Sequence, residues 1–100
     1  MKIQILYLDG CPNYKPTLEL VVDVANDLGI ATVIQPVAVR DFEEAQDCSF
    51  HGSPTVRING QDIDPDVQNR TEFSFSCRKY GESGIPPREM IVTALQENRA

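Results

Sequence analysis

With 100 residues the chain is long enough for one domain around one hydrophobic core, and an apolar fraction of 41% suffices to build it. A net charge of −6 argues against nucleic acid as a partner, and no stretch approaches the roughly 20 apolar residues of a membrane span. One Lys2 ahead of a short apolar run does not make a secretory leader, so a cytoplasmic protein is expected.

In chain order, Ile3-Gln4-Ile5-Leu6-Tyr7-Leu8 predicts a buried strand over 2–8. Leu18, Val21, Val22, Ala25 and Leu28 share one helical face, which predicts a helix over about 14–28, closed by Gly29 at C′. The β-rich run 32–39 predicts a second strand, and Pro36 within it favours an edge or a bulge. A short helix over about 41–49 carries Asp41, Glu43, Glu44 and Asp47. Asn59-Gly60 predicts a two-residue hairpin between strands 55–59 and 61–64. Residues 65–85 read as irregular, although Phe73, Phe75 and Cys77 alternate like one face of a short strand. Pro87 opens a last helix over about 87–98, with Met90, Ile91, Ala94 and Leu95 on its apolar face. The fold class expected is α/β, a single domain over 1–100 in βαβαββα order, with a mixed four-stranded sheet flanked by helices. The early crossovers make the first two strands parallel and the hairpin makes the far edge antiparallel.

Three cysteines, Cys11, Cys48 and Cys77, are an odd number, and no Cys-x-x-Cys zinc pattern is present. A structural metal site would need all three to converge with His51, so none is expected. Cys48 ends the second helix and reads as a small buried apolar residue, and His51 as a loop residue. Asp62, Asp64 and Asp66 resemble a calcium loop faintly, but Pro65 interrupts them and the required Glu is missing. Cys11 lies in the strand-to-helix turn, where the helix dipole favours thiolate. Pro16 fits best if Asn13 is the N-cap, which puts it in the first turn and Cys11 two residues before the cap. Asp9 opposes a lowered thiol pKa there and Lys15 assists it. Residues 70–100 carry a net charge of +1, five basic against four acidic, and 1–69 carry −7, four against eleven. Arg70, Arg78, Lys79 and Arg88 near Cys77 are either part of a mixed solvated tail or a positive field for an anionic thiol such as glutathione.

Three motifs carry a resemblance. Gly10-Cys11-Pro12-Asn13-Tyr14, Gly52-Ser53-Pro54-Thr55 and Ser76-Cys77-Arg78-Lys79-Tyr80, in this order, resemble small bacterial thioredoxin-like proteins over nearly the whole chain. The resemblance implies a thioredoxin-like fold with Cys11 as the nucleophilic thiol. It implies a cis Pro54 whose backbone lies beside Cys11 and pairs with substrate, with Ser53 and Thr55 in the same segment. Tyr14 and Tyr80 themselves read either as flanking the thiol site or as partly buried with the hydroxyl exposed, and Arg78, next to Cys77, as assisting that thiol and binding substrate. Tyr14 stands where redox-active members have a second cysteine. Three routes therefore stay open: Cys11 acts alone with an external thiol such as glutathione, Cys77 resolves from a distance, or the chain is a non-enzymatic module. Such a module would hold a partner protein or a soft metal ion, mercury(II), copper(I) or trivalent arsenic, through Cys11 and Cys77. Expected partners are a protein or a small thiol or disulfide. No cofactor is expected beyond glutathione as co-substrate, and the oligomeric state stays open.

Overall fold

Alternation along the first strand sets the architecture. In the computed structural model, which describes residues 1–68, 70 and 72–99, β1 (Lys2–Tyr7) has fully buried Ile3 and Ile5 on one face and buried Leu6 on the other. Each face receives its own layer of helix.

β1 lies inside a mixed four-stranded sheet. It pairs in parallel with β2 (Val33–Ala38), from Lys2 opposite Val33 to Tyr7 opposite Ala38. On its other side it pairs antiparallel with a strand over Thr55–Ile58, and that strand with a last one over Gln61–Asp62. Pro36, opposite Ile5, lies on the edge strand β2, where a missing N–H is tolerated. The Asn59-Gly60 turn has positive φ at both residues, 53° and 85°, the requirement of a primed hairpin turn.

Helix α1 (Tyr14–Asp27) buries Val21, Val24 and Ala25. It ends in a Schellman motif: the Gly29 N–H donates to the Asn26 carbonyl and the Ile30 N–H to the Ala25 carbonyl. The last helix, Arg88–Glu97, buries Ile91, Ala94 and Leu95. Both helices join Ile3, Ile5, Val56, Ile58 and Ile63 in the larger core. The short helix α2 (Phe42–Asp47) packs Ala45 into a second core with Leu6, Val39 and Phe50. Its N-cap Asp41 accepts the Glu44 N–H at 2.8 Å. The Glu44 carboxylate in turn accepts the Arg40 backbone N–H and its guanidinium, which hold the Glu44 carboxyl below the ordinary glutamate value.

The structure adds a piece that the sequence leaves irregular. β3 (His51–Ser53), β4 (Thr55–Ile58), β5 (Gln61–Asp62) and β6 (Ser74–Cys77) follow one another, and β3 pairs with β6 in a separate parallel ribbon. His51 faces Ser74, and Ser53 faces Cys77. A three-residue strand containing Gly52 has no apolar period to announce it, and β6 has no other partner strand. β5 stops two residues earlier than expected because Asp62 turns the chain: its carboxylate accepts the Asp64 N–H at 2.8 Å. The last helix is α3 (Arg88–Glu97). Among the described residues no helix is long and apolar enough to cross a membrane.

Candidate functional site

The turn that carries Cys11 is built from four residues. The Cys11 N–H donates to the Leu8 carbonyl at 3.0 Å, and Gly10 takes φ +80° between them. Asn13 is the N-cap of α1 and Pro16 is the third helical residue, where the helix needs no N–H. Cys11 is half-buried two residues before the cap. Tyr14 opens the helix and stacks on Tyr7 at the end of β1, ring centroids 4.1 Å apart, with its ring also against the larger core.

The cis peptide bond Ser53–Pro54 lies next to this turn. The Leu8 N–H donates to Ser53 Oγ at 3.0 Å, so the residue that starts the Cys11 turn is tied to the residue before the proline. On its other side, Ser53 pairs with Cys77, and its carbonyl accepts the Arg78 N–H at 2.8 Å. Ser53 is thus the link between the two segments that carry Cys11 and Cys77. Cys77 is exposed, and Cys11, Cys48 and Cys77 are all free thiols.

Ser53, Pro54 and Thr55, expected to pair with substrate, lie at the start of β4 and just before it. All three are buried. The Ser53 carbonyl is taken by Arg78, the Pro54 carbonyl accepts the Tyr80 hydroxyl at 2.6 Å, and the Thr55 hydroxyl donates to the Gly52 carbonyl.

Arg78 is likewise not a free positive charge. Its guanidinium, 8% exposed, makes a two-pronged pair with Asp62 at 2.8 and 3.2 Å and reaches Asp64 at 3.4 Å. It also lies 4.3 Å from the centroid of the Tyr80 ring. Burial alone would lower its pKa; the hydrogen bond and charge of Asp62, with the charge of Asp64, outweigh it and hold the pKa above the ordinary value. Burial pushes the Tyr80 phenol upward, and Asp62 and Asp64 push the same way against Arg78. Tyr80 therefore stays protonated at neutral pH and keeps donating to Pro54.

His51 belongs to this cluster rather than to Cys11. Its Nδ1 lies 3.4 Å from Asp62 and its Nε2 3.4 Å from the Arg70 carbonyl. Cys48 is the C-cap of α2, half-buried, with its thiol 3.8 Å from the Ala45 carbonyl. Of the cations near Cys77 in sequence, Arg88 pairs with Asp23 and Asp27 across α1 and α3. Among the described residues no group of three or more His, Cys, Asp or Glu side chains converges as metal ligands.

Two glycines shape the site, Gly52 from the second motif and Gly84, which no motif marks. Gly52 takes φ +107°, and a Cβ there would stand 3.0 Å from the Arg78 Cβ. Gly84 is buried at φ +73°, and a Cβ there would overlap the Asn13 side-chain amide. The loop after β6 therefore lies against the N-terminal end of α1. Beside the Cys11 turn, Leu8, Asp9, Val39, Arg40 and Phe75 line a cleft of about 480 Å³.

Set against protein-family models, curated proteins and solved structures, the chain matches none of them.

Proposed function

We propose that this is a thioredoxin-like thiol–disulfide exchange protein, with Cys11 as nucleophile and Cys77 or an external thiol as resolver. The observation that carries the reading is the position of Ser53: it holds the Cys11 turn through Leu8 and the Cys77 strand through its own backbone. Further support comes from the parallel β1–β2 pair, the antiparallel β1–β4–β5 edge and the half-buried thiol in the turn between β1 and α1.

In the reaction, the Cys11 thiolate attacks one sulfur of a disulfide RS–SR′, forms a mixed disulfide with RS and expels R′S⁻. The Cys77 thiolate then attacks the Cys11 sulfur and expels RS⁻, which leaves a Cys11–Cys77 disulfide and a substrate reduced by two electrons. In the other branch an external thiol such as glutathione attacks the mixed disulfide, becomes the new disulfide partner and returns Cys11 as thiolate. The first branch requires the two cysteine Cα atoms to come within roughly 7 Å, by loop motion if needed.

Non-reducing peptide mapping after mild oxidation, with free thiols alkylated, tests this. A Cys11–Cys77 bridge is expected in the first branch, and glutathionylated Cys11 with free Cys77 in the second. Cys11→Ser is expected to abolish disulfide reduction in both. Full activity in that variant overturns the proposal.

A further inference from the structure

We propose that this site exchanges with low-molecular-weight disulfides and excludes extended polypeptides, because residues 74–80 already fill the backbone beside the thiols. The inference rests on the thiol-exchange reading above. An extended chain binds a strand edge through unpaired backbone groups. In the segment that Ser53 ties to the Cys11 turn through Leu8, those groups belong to Ser53 and Pro54, and both carbonyls are taken, one by the Arg78 N–H and one by the Tyr80 hydroxyl. Gly52 leaves no room for a second chain on the same side, since even a methyl group would press on the Arg78 side chain.

This strap is firmly seated. Displacing it separates the Arg78–Asp62 pair, of which Asp62 is 2% and Arg78 8% exposed at the side chain, and breaking one buried partner from another is costly. It also takes the Tyr80 hydroxyl from the Pro54 carbonyl. A small disulfide needs none of this. The cleft beside the Cys11 turn, about 480 Å³, lies within the range of small-molecule sites, about 300–1,000 Å³. Leu8, Val39 and Phe75 make its apolar wall, and Phe75 is 39% exposed. Asp9 stands on the same cleft and is the acidic side chain there that an ammonium of an amino-acid-derived disulfide would meet, whereas Arg40 on its rim is paired with Glu44.

The test uses the full chain with Cys77→Ser, so that a mixed disulfide at Cys11 persists and is counted by mass spectrometry. Two probes are compared: oxidised glutathione, and an extended decapeptide whose central cysteine is in disulfide with 2-mercaptoethanol. Oxidised glutathione is expected to react at least about tenfold faster. Adding Tyr80→Phe, which removes the hydroxyl and keeps the ring, is expected to raise the peptide rate about fivefold, the effect of one lost hydrogen bond, and to leave the glutathione rate unchanged. Equal rates for the two probes, or a Tyr80→Phe change that moves both rates alike, overturn the inference and leave the exchange reading standing. A Cys11 that reacts with neither probe overturns both.

Discussion

The four-stranded sheet and the β3–β6 ribbon are held by different physics. The sheet and its helices α1 and α3 close around Ile3, Ile5, Val21, Val24, Ile91 and Leu95, all at most 1% exposed. That attraction is non-directional and scales with the apolar area removed from water. The ribbon has few buried apolar residues of its own. Its position comes from Arg78, Asp62, Tyr80 and the carbonyls of Ser53 and Pro54, whose hydrogen bonds have fixed directions. The comparison teaches a division of labour: the apolar region supplies stability, and the polar region fixes where Cys77 and the strap sit relative to Cys11.

The largest effect that separates the two regions is expected from Asp62→Asn. It leaves the Arg78 guanidinium buried without its carboxylate, and loss of one member of a buried pair costs about 3–5 kcal/mol. Urea unfolding measures that loss. Amide exchange shows where it falls: residues 52–53 and 74–80 are expected to lose protection before β1 and β4 do. Replacing both partners, Asp62→Leu with Arg78→Met, is expected to recover part of the stability, because a well-packed apolar pair often equals a buried ionic one while the Asp64 N–H and His51 still lose the carboxylate. The double variant then tests the division directly: stability returns in part, and the Ser53 and Pro54 carbonyls keep the backbone N–H at position 78 and the Tyr80 hydroxyl, so the preference of Cys11 for small disulfides is expected to persist. A uniform loss of protection across both regions in Asp62→Asn would mean that they unfold as one unit.

This division also explains what the sequence reveals. β1, α1, α3 and the Asn59-Gly60 hairpin announce themselves through local period or turn chemistry, so their order and pairing directions are legible to within a residue or two. Asn13 as N-cap is legible for the same reason, since Pro16 restricts where a first turn can start. The ribbon is a pairing between residues some twenty positions apart, and the alternation of Phe73, Phe75 and Cys77 does not name its partner. Arg78 reads as free charge because its carboxylate, Asp62, lies sixteen positions away, outside any local rule. Ser53, Pro54 and Thr55 are identifiable as a motif, but their burial depends on the strap and so on the part of the fold with no local signal.

Gly52→Ala and Gly29→Ala make a sharper comparison of the same two regions. Both positions have positive φ, +107° and +66°, so both variants carry backbone strain. A Cβ at Gly29 meets nothing within 4 Å, whereas one at Gly52 meets the Arg78 Cβ at 3.0 Å and its backbone at 3.3 Å. Gly52→Ala is therefore expected to cost about 1–3 kcal/mol more than Gly29→Ala, the range of an overpacked contact. Equal losses in urea unfolding would mean that the strap yields easily, and the exclusion of polypeptides would then lack its physical basis.

The smallest effect is expected where the two regions join. Ser49 follows α2 at φ +53°, and there its N–H donates to the Gln46 carbonyl while the Phe50 N–H donates to the Ala45 carbonyl. This is the same closing motif that α1 makes with Gly29, but on a residue whose Cβ disfavours left-handed backbone by about 1–2 kcal/mol. Glycine removes that strain and gives back about 0.5–1 kcal/mol through its greater freedom in the unfolded chain. Ser49→Gly is thus expected to stabilise the protein by up to about 1.5 kcal/mol, the upper end of the difference of those two terms. The carbonyls of Cys48 and Ser49 both accept from Arg57 of β4, so the turn is anchored to the apolar sheet and not to the strap. The gain is therefore expected in urea unfolding with no change in the relative rates of Cys11 toward oxidised glutathione and the peptide probe. A shift in that ratio would show that the α2–β3 turn also sets the position of Ser53.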